Sequence, residues 1–201
     1  MKKTIPLVPF VFIRHGQTDW NLKEMWQGQT DIPLNETGHS QARSAISILS
    51  EKGISRIVSS PLIRAHKTAE IINTHLDVPL LVVDGLKERC IGILEGTVKD
   101  KSIIATDWIV KAEIEKSEPA DEFRTRIANA LHEILDPKHT TLIVAHGGVY
   151  RIIMEMVGFK DQRSDNCIPH LFVPPKDNQS SWLVQQLDKD IPKTVDLEVK
   201  L

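Results

Sequence analysis

Four short apolar runs, at residues 10–13, 54–58, 80–83 and 141–145, alternate with stretches of helical period, and that alternation leaves few folds open. Runs of this length suit strands covered on both faces. In 38–52, Ala42, Ala45, Ile46 and Leu49 recur at helical spacing and Gly53 provides a stop. A second helix is expected from Pro61, where proline suits a first turn, with Leu62, Ala65, Ala69 and Ile72 facing inward. A third is expected over 122–135, burying Phe123, Ile127, Ala130, Leu131 and Ile134, with Pro137 beyond its end. A fourth follows Gly147-Gly148 and carries Val149, Ile152, Ile153 and Met156. Strands alternating with helices predict an α/β three-layer sandwich, a mainly parallel central sheet with helices on both faces. The stretch 97–121 interrupts the rhythm, and Trp108 and Ile109 among many charges read as a short helical insertion over the site.

With 201 residues and 41% apolar content the chain can bury one substantial core, so a single domain over 1–201 is expected. The formal net charge of -2 provides no basic field for nucleic acid or anionic membranes, and an anion must be captured by local charge. Cys90 and Cys167 are too few for a disulfide scaffold and fit a reducing compartment. Lys2 and Lys3 precede an apolar run as in a signal peptide, but Pro6 and Pro9 interrupt it and it leads into Arg14 and His15; it reads as a strand, and a cytoplasmic setting is expected. No run is long enough to cross a bilayer. The tail 188–201 reads as a solvated or loosely attached end.

The charged residues fall at the ends of the expected strands. Arg14-His15-Gly16 follows the first run, Ser59-Ser60 with Arg64 the second, Glu88 the third and His146-Gly147 the fourth. In open α/β sheets ligands bind outside the carboxyl ends of the strands, so these groups should converge there. Two arginines imply an anionic ligand, held by planar forks and by N–H groups of Gly16 and of Gly147-Gly148 at a helix start. A lone carboxylate beside them, Glu88, suits proton donation better than anion binding.

Phe12-Ile13-Arg14-His15-Gly16-Gln17-Thr18-Asp19-Trp20-Asn21, continued by Gln27-Gly28, by Asp31-Ile32-Pro33-Leu34-Asn35 and by Gly38 and Gln41-Ala42, resembles the signature of the histidine phosphatase superfamily, the phosphoglycerate mutase-like family. Ser59-Ser60-Pro61-Leu62-Ile63-Arg64-Ala65 with Thr68-Ala69, Leu86-Lys87-Glu88 with Gly92 and Leu94-Glu95-Gly96, and Ala145-His146-Gly147-Gly148 resemble its later motifs in order and spacing. The resemblance implies a phosphatase that hydrolyses a small phosphomonoester through a phosphohistidine on His15. It implies that Arg14, Arg64 and His146 bind the transferring group with a hydrogen bond from Asn21, and that Glu88 protonates the leaving alkoxide and then activates water. Gly147, Gln27, Gln17 and Thr18 complete the expected phosphate and substrate contacts, Gln17 and Thr18 alternatively holding the loop. No metal or other cofactor is expected, because arginines and histidines supply the charge that a loose phosphoryl transition state needs.

Several residues also have plainer readings. A two-histidine metal site lacks close His-His spacing and nearby paired carboxylates. Glu36 reads as a solvated loop residue and Glu95 as part of a turn. Trp20, Trp26, Trp108 and Trp182 read as packing residues, with Trp108 also able to touch an apolar part of a substrate, and His170 and Cys90 as structural. Many small-molecule members of the family carry Gly-Glu-Ser before the third helix; the stretch here is Glu118-Pro119-Ala120-Asp121-Glu122-Phe123, with Glu122 in the acidic position and no serine. The insertion is shorter than in glycolytic mutases, and a smaller cover favours hydrolysis over mutase chemistry. The expected partner is a small phosphorylated metabolite. The alternatives are a phosphoglycerate mutase, a phosphoprotein phosphatase and a phosphate-binding interaction protein of the same fold.

Overall fold

The protein is seen in a computed structural model that describes residues 5–99, 113–159, 162–177 and 181–188. Most of the expected insertion, with Trp108 and Ile109, and the tail beyond 188 lie outside the described residues.

The apolar runs form four adjacent strands of one six-stranded sheet, the third of them at its edge, where Leu81 and Val82 are exposed rather than covered on both faces. These strands are β1 (Phe10–Arg14), β2 (Arg56–Ser59), β3 (Leu80–Val82) and β4 (Thr141–Ala145), all parallel in the order β3-β2-β4-β1. Two strands not marked by the sequence patterns, β5 (Pro169–Val173) and β6 (Leu183–Gln186), extend the sheet antiparallel beyond β1. β1 and β4 are therefore flanked on both edges, and β4 is buried throughout.

Period-two alternation divides these strands between two cores. Phe10 and Phe12 face one side, where they meet Phe123, Ile127 and Leu131 of α4 (Ala120–Ile134) and Val149, Ile152 and Ile153 of α5 (Gly147–Met156). Val11 and Ile13 face the other, against Ala42, Ala45 and Leu49 of α2 (Glu36–Leu49) and Ala65, Ala69 and Ile72 of α3 (Ile63–Leu76). A helix pair covers each face, so the expected three-layer α/β sandwich is the observed one.

Helix starts differ from expectation: α4 opens at Ala120 rather than 122, and α5 takes in Gly147 and Gly148 instead of following them. α2 begins two residues early because Asn35 caps it, its side chain accepting the Gly38 N–H at 2.9 Å. α3 begins at Ile63 rather than Pro61; Asp31, from a loop distant in sequence, accepts the Ile63 N–H at 2.7 Å. A short α1 (Asp19–Leu22) follows the first motif. The two cysteines are free, Cys167 buried and Cys90 half-buried. Among the described residues no helix is long and apolar enough to cross a membrane.

Candidate active site

Strand register brings the motifs level. Arg14 pairs with Ala145 and Ser59 with Val144, so the chain leaves β1, β2 and β4 at the same height. The His15 N–H then donates to the Ala145 carbonyl and the Ser60 N–H to that of Val144, each at 3.0 Å, continuing the ladder one residue beyond the strands. At this edge lies a cavity of about 350 Å³ lined by Arg14, His15, Gln17, Asn21, Gln27, Arg64, Glu88 and Gly147 among others.

The His15 side chain is buried, and its Nδ1 lies 2.7 Å from the Gly16 carbonyl. A carbonyl only accepts, so Nδ1 carries the proton and, in the neutral ring, Nε2 keeps its lone pair. Burial holds the His15 pKa well below the ordinary histidine value, with Arg64 and Arg14 adding repulsion, so the ring is neutral. The arrangement fixes the tautomer and leaves Nε2 as the ring nitrogen with the lone pair.

Two guanidinium groups flank this ring. Arg14 donates through Nη1 to the Ser164 carbonyl at 2.9 Å, while Arg64 donates through Nη1 and Nη2 to the carbonyls of Thr30 and Gly28 at 2.9 and 2.8 Å. In both, Nε is buried with no hydrogen-bond partner among the described residues. Burial lowers the Arg64 pKa to about 10, and lowers that of Arg14, with Glu88 opposing the shift in each.

His146 is fully buried behind His15 rather than on the cavity lining, the two ring centroids 5.3 Å apart. Its Nε2 lies 2.8 Å from Ser60 Oγ, its Nδ1 has no partner among the described residues, and burial with Arg64 nearby depresses its pKa well below the usual value. A buried polar group left unpaired costs about 1–3 kcal/mol. Three such atoms in one cluster mark where an acceptor-rich group fits.

Glu88 is arranged oppositely. Its Oε1 accepts the Arg89 N–H and its Oε2 the Gly148 N–H, both at 2.9 Å. Gly148 is needed for that contact, since a Cβ there would stand 2.1 Å from Glu88 Oε1. The Gly148 N–H is thus committed to Glu88, and the Gly16 N–H to Thr68 Oγ1 at 3.0 Å, so neither is the free anion donor expected from the sequence. Gly147 does line the cavity at the start of α5.

The remaining expected contacts divide. Gln17, Gln27 and Asn21 line the cavity. Thr18 does not: it is fully buried and caps α1, accepting the Asn21 N–H while Asn21 Oδ1 accepts the Thr18 N–H. Its hydroxyl is also 3.1 Å from Gln27 Oε1, so Thr18 holds the loop. Glu95 does more than form a turn. Burial alone would raise its pKa, but hydrogen bonds from Thr30, Gln29 and Ile91 outweigh it and leave the carboxyl below its ordinary value. Those bonds pin the loop whose carbonyls hold Arg64. Trp26, read as packing, is buried and also lines the cavity, with Lys99 Nζ 5.2 Å from the centre of its ring.

The sequence motifs missed Arg89, Lys99, Arg151 and Arg163, which also line the cavity, and Asn166, whose amide donates to the His15 carbonyl at 2.7 Å. Arg151 carried a signal, since it lies one helical turn beyond Gly147. Glu122 is exposed, whereas the Glu118 carboxylate accepts from Arg126 at 2.7 and 2.8 Å, and Arg126 in turn reaches the Glu88 carbonyl. Among the described residues no group of three or more His, Cys, Asp or Glu side chains is placed to hold a metal ion.

The sequence profile of the histidine phosphatase superfamily (branch 1) matches residues 10–167. A relative named as the uncharacterised phosphatase PhoE of Bacillus subtilis (strain 168) is 39% identical over 150 residues, 73% of this chain and 76% of that protein. A broad-specificity phosphatase of Saccharomyces cerevisiae is 28% identical over 173 residues, 81% and 75% of the two chains. Among solved structures, a phosphoglycerate mutase from Thermus thermophilus superposes with a TM-score of 0.72 at 26% identity, covering 90% of this chain and 99% of that one. A mycobacterial glucosyl-3-phosphoglycerate phosphatase shares the fold, with a TM-score of 0.73 at 24% identity over 89% and 97% of the two chains.

Proposed function

The chain belongs to the histidine phosphatase superfamily, and from that membership and the cavity's geometry we propose that it hydrolyses small phosphomonoesters through a phosphohistidine on His15, without a metal ion. The observation that carries this reading is the fixed tautomer of His15 between two arginines whose Nε groups have no partner among the described residues. A phosphoryl group seated there accepts from both, and its phosphorus faces the Nε2 lone pair. Nε2 forms the N–P bond as the P–O ester bond breaks, and Glu88 delivers a proton to the departing alkoxide. In the second half Glu88 takes a proton from water, whose oxygen displaces Nε2 and releases inorganic phosphate. Arg14 and Arg64 hold the equatorial oxygens through both transfers, which suits a loose transition state needing position and charge more than covalent help. His146, behind the nucleophile, has an Nδ1 without a partner among the described residues, and in the tautomer whose Nε2 accepts from the Ser60 hydroxyl that Nδ1 would be a donor to the same group. Phosphatase relatives in bacteria and yeast fit hydrolysis, while relatives named as mutases keep phosphoryl shuttling as the alternative.

The test is the full chain, in the presence of a chelator, against a panel of phosphomonoesters that includes 3-phosphoglycerate, following phosphate release and isomerisation together. Release should survive the chelator and fall about ten-thousand-fold or more in His15→Ala, the size of loss seen when a nucleophile is removed. Loss of activity on chelation refutes metal independence. Isomerisation that outruns release makes the protein a mutase, and inactivity across the panel turns attention to phosphoproteins as substrates or partners.

A further inference from the structure

Arg126, on α4, lies outside the residues that line the catalytic cavity, yet it makes five hydrogen bonds. Its Nε and Nη2 grip the two oxygens of Glu118 at 2.8 and 2.7 Å as a fork. Its Nη1 donates to the carbonyls of Gly85 and Lys87, both at 2.9 Å, and Nη2 reaches that of Glu88 at 3.3 Å. The guanidinium carbon lies 5.1 Å from the ring centre of Phe123, a residue of the core, so the fork itself is anchored. The loop comes close enough because residue 85 is glycine: a Cβ there would stand 2.7 Å from Ala130 Cβ.

The Glu88 carbonyl also accepts from Gln29 Nε2 at 3.0 Å, so its backbone is held by Gln29, from the loop that grips Arg64, and by Arg126 from α4. Its carboxylate then meets the N–H groups of Arg89 and Gly148. We propose that Arg126 is a positioning residue for Glu88, its fork fixing the backbone from which the carboxylate reaches the leaving group. This rests on the phosphatase reading above. Lysine cannot replace it, because one ammonium has three donors and no planar fork to serve three carbonyls and a carboxylate. A displacement of about 1 Å at a reacting group can cost about a hundredfold.

Proton donation matters when the leaving alkoxide is basic and little when it is not, and this separates positioning of Glu88 from general damage. The experiment measures kcat/KM, which reports the first phosphoryl transfer, for 3-phosphoglycerate and for p-nitrophenyl phosphate. It compares the wild type with Arg126→Lys, Glu88→Gln and the double variant. Arg126→Lys should lose roughly 10- to 100-fold on the alkyl ester and less than about threefold on the aryl ester, and it should add nothing in the Glu88→Gln background. Glu118→Gln, which keeps the shape of the fork's partner and removes its charge, should show the same pattern in weaker form, and it serves if the lysine variant does not fold. Equal losses on both esters, or losses that multiply with those of Glu88→Gln, would overturn the inference while leaving the phosphatase reading intact. A wild type lacking hydrolysis that depends on His15 would remove both together.

Discussion

On the arginine side of the cavity the Nε groups of Arg14 and Arg64 are buried without partners among the described residues, whereas on the Glu88 side each carboxylate oxygen already accepts a backbone N–H. On the proposed mechanism the two sides do different work. A group that holds a ligand must keep bonding capacity in reserve, and a group that moves one proton must be aimed, with its other contacts filled. Under the proposed function, unpaired polar atoms mark the seat of the transferring phosphoryl group, and the Glu88 carboxylate, with one N–H on each oxygen, marks the proton donor.

Substitutions can break that contrast at either end. Arg14→Gln and Arg64→Gln should each lower kcat/KM by about 10²- to 10³-fold, the range for loss of one preorganised donor to a developing charge. Unlike Arg126→Lys, they should do so equally for alkyl and aryl phosphates, because the equatorial oxygens are common to both. Dependence on the leaving group here would erase the division between the two sides. Glu95→Gln tests whether the arginine side is itself supported from behind. An amide keeps one oxygen and puts an N–H₂ in place of the other, facing either the Gln29 and Ile91 N–H groups at Oε1 or the Thr30 N–H and hydroxyl at Oε2, so the loop that holds Arg64 should loosen. KM should rise about tenfold with kcat changed less, as for lost binding before the chemical step; an unchanged KM separates Glu95 from Arg64.

The smallest effect is on stability. The pKa values of His15 and His146 lie well below the ordinary value in the folded protein, so between that value and their folded ones the unfolded chain binds the extra protons. Stability is then greatest above about pH 6.5 and falls as the pH drops below it, by at most about 1.4 kcal/mol per histidine per pH unit. From pH 6.5 to 5.5 the midpoint of thermal unfolding should fall by roughly 5 °C, and His15→Asn should remove about half of the histidine share of that slope. A slope unchanged in the variant would mean that His15 is not held neutral by burial.

The parallel half of the sheet and its helices were legible in the sequence because buried strands and amphipathic helices write their periods locally. β5 and β6 were not. β5 opens with Pro169 and pairs antiparallel, and in β6 Leu183 and Gln186 are exposed with only Val184 and Gln185 half-buried, so neither gives a long apolar run. His15, Arg64 and Glu88 could be read because they follow strands within a recognisable motif. Thr18 shared that motif yet proved a cap, since its spacing from Asn21 serves a helix start as well as a ligand. The grip of Arg126 on the Glu88 loop spans 38 residues and depends on the approach of α4, which no local period encodes.

β1, with Arg14 and His15 at its end, lies between β4 and β5. Arg14 takes its support from Ser164, 150 residues later, and the His15 carbonyl receives Asn166 from 151 residues away. During synthesis, a chain that has just produced its nucleophile cannot seat it. Both neighbours of β1 belong to much later sequence, and closing such long separations slows folding. The end of the sheet that carries His15 therefore becomes whole only after residue 166 has been made, and a shortened chain ending before residue 164 should keep the motif without its seat.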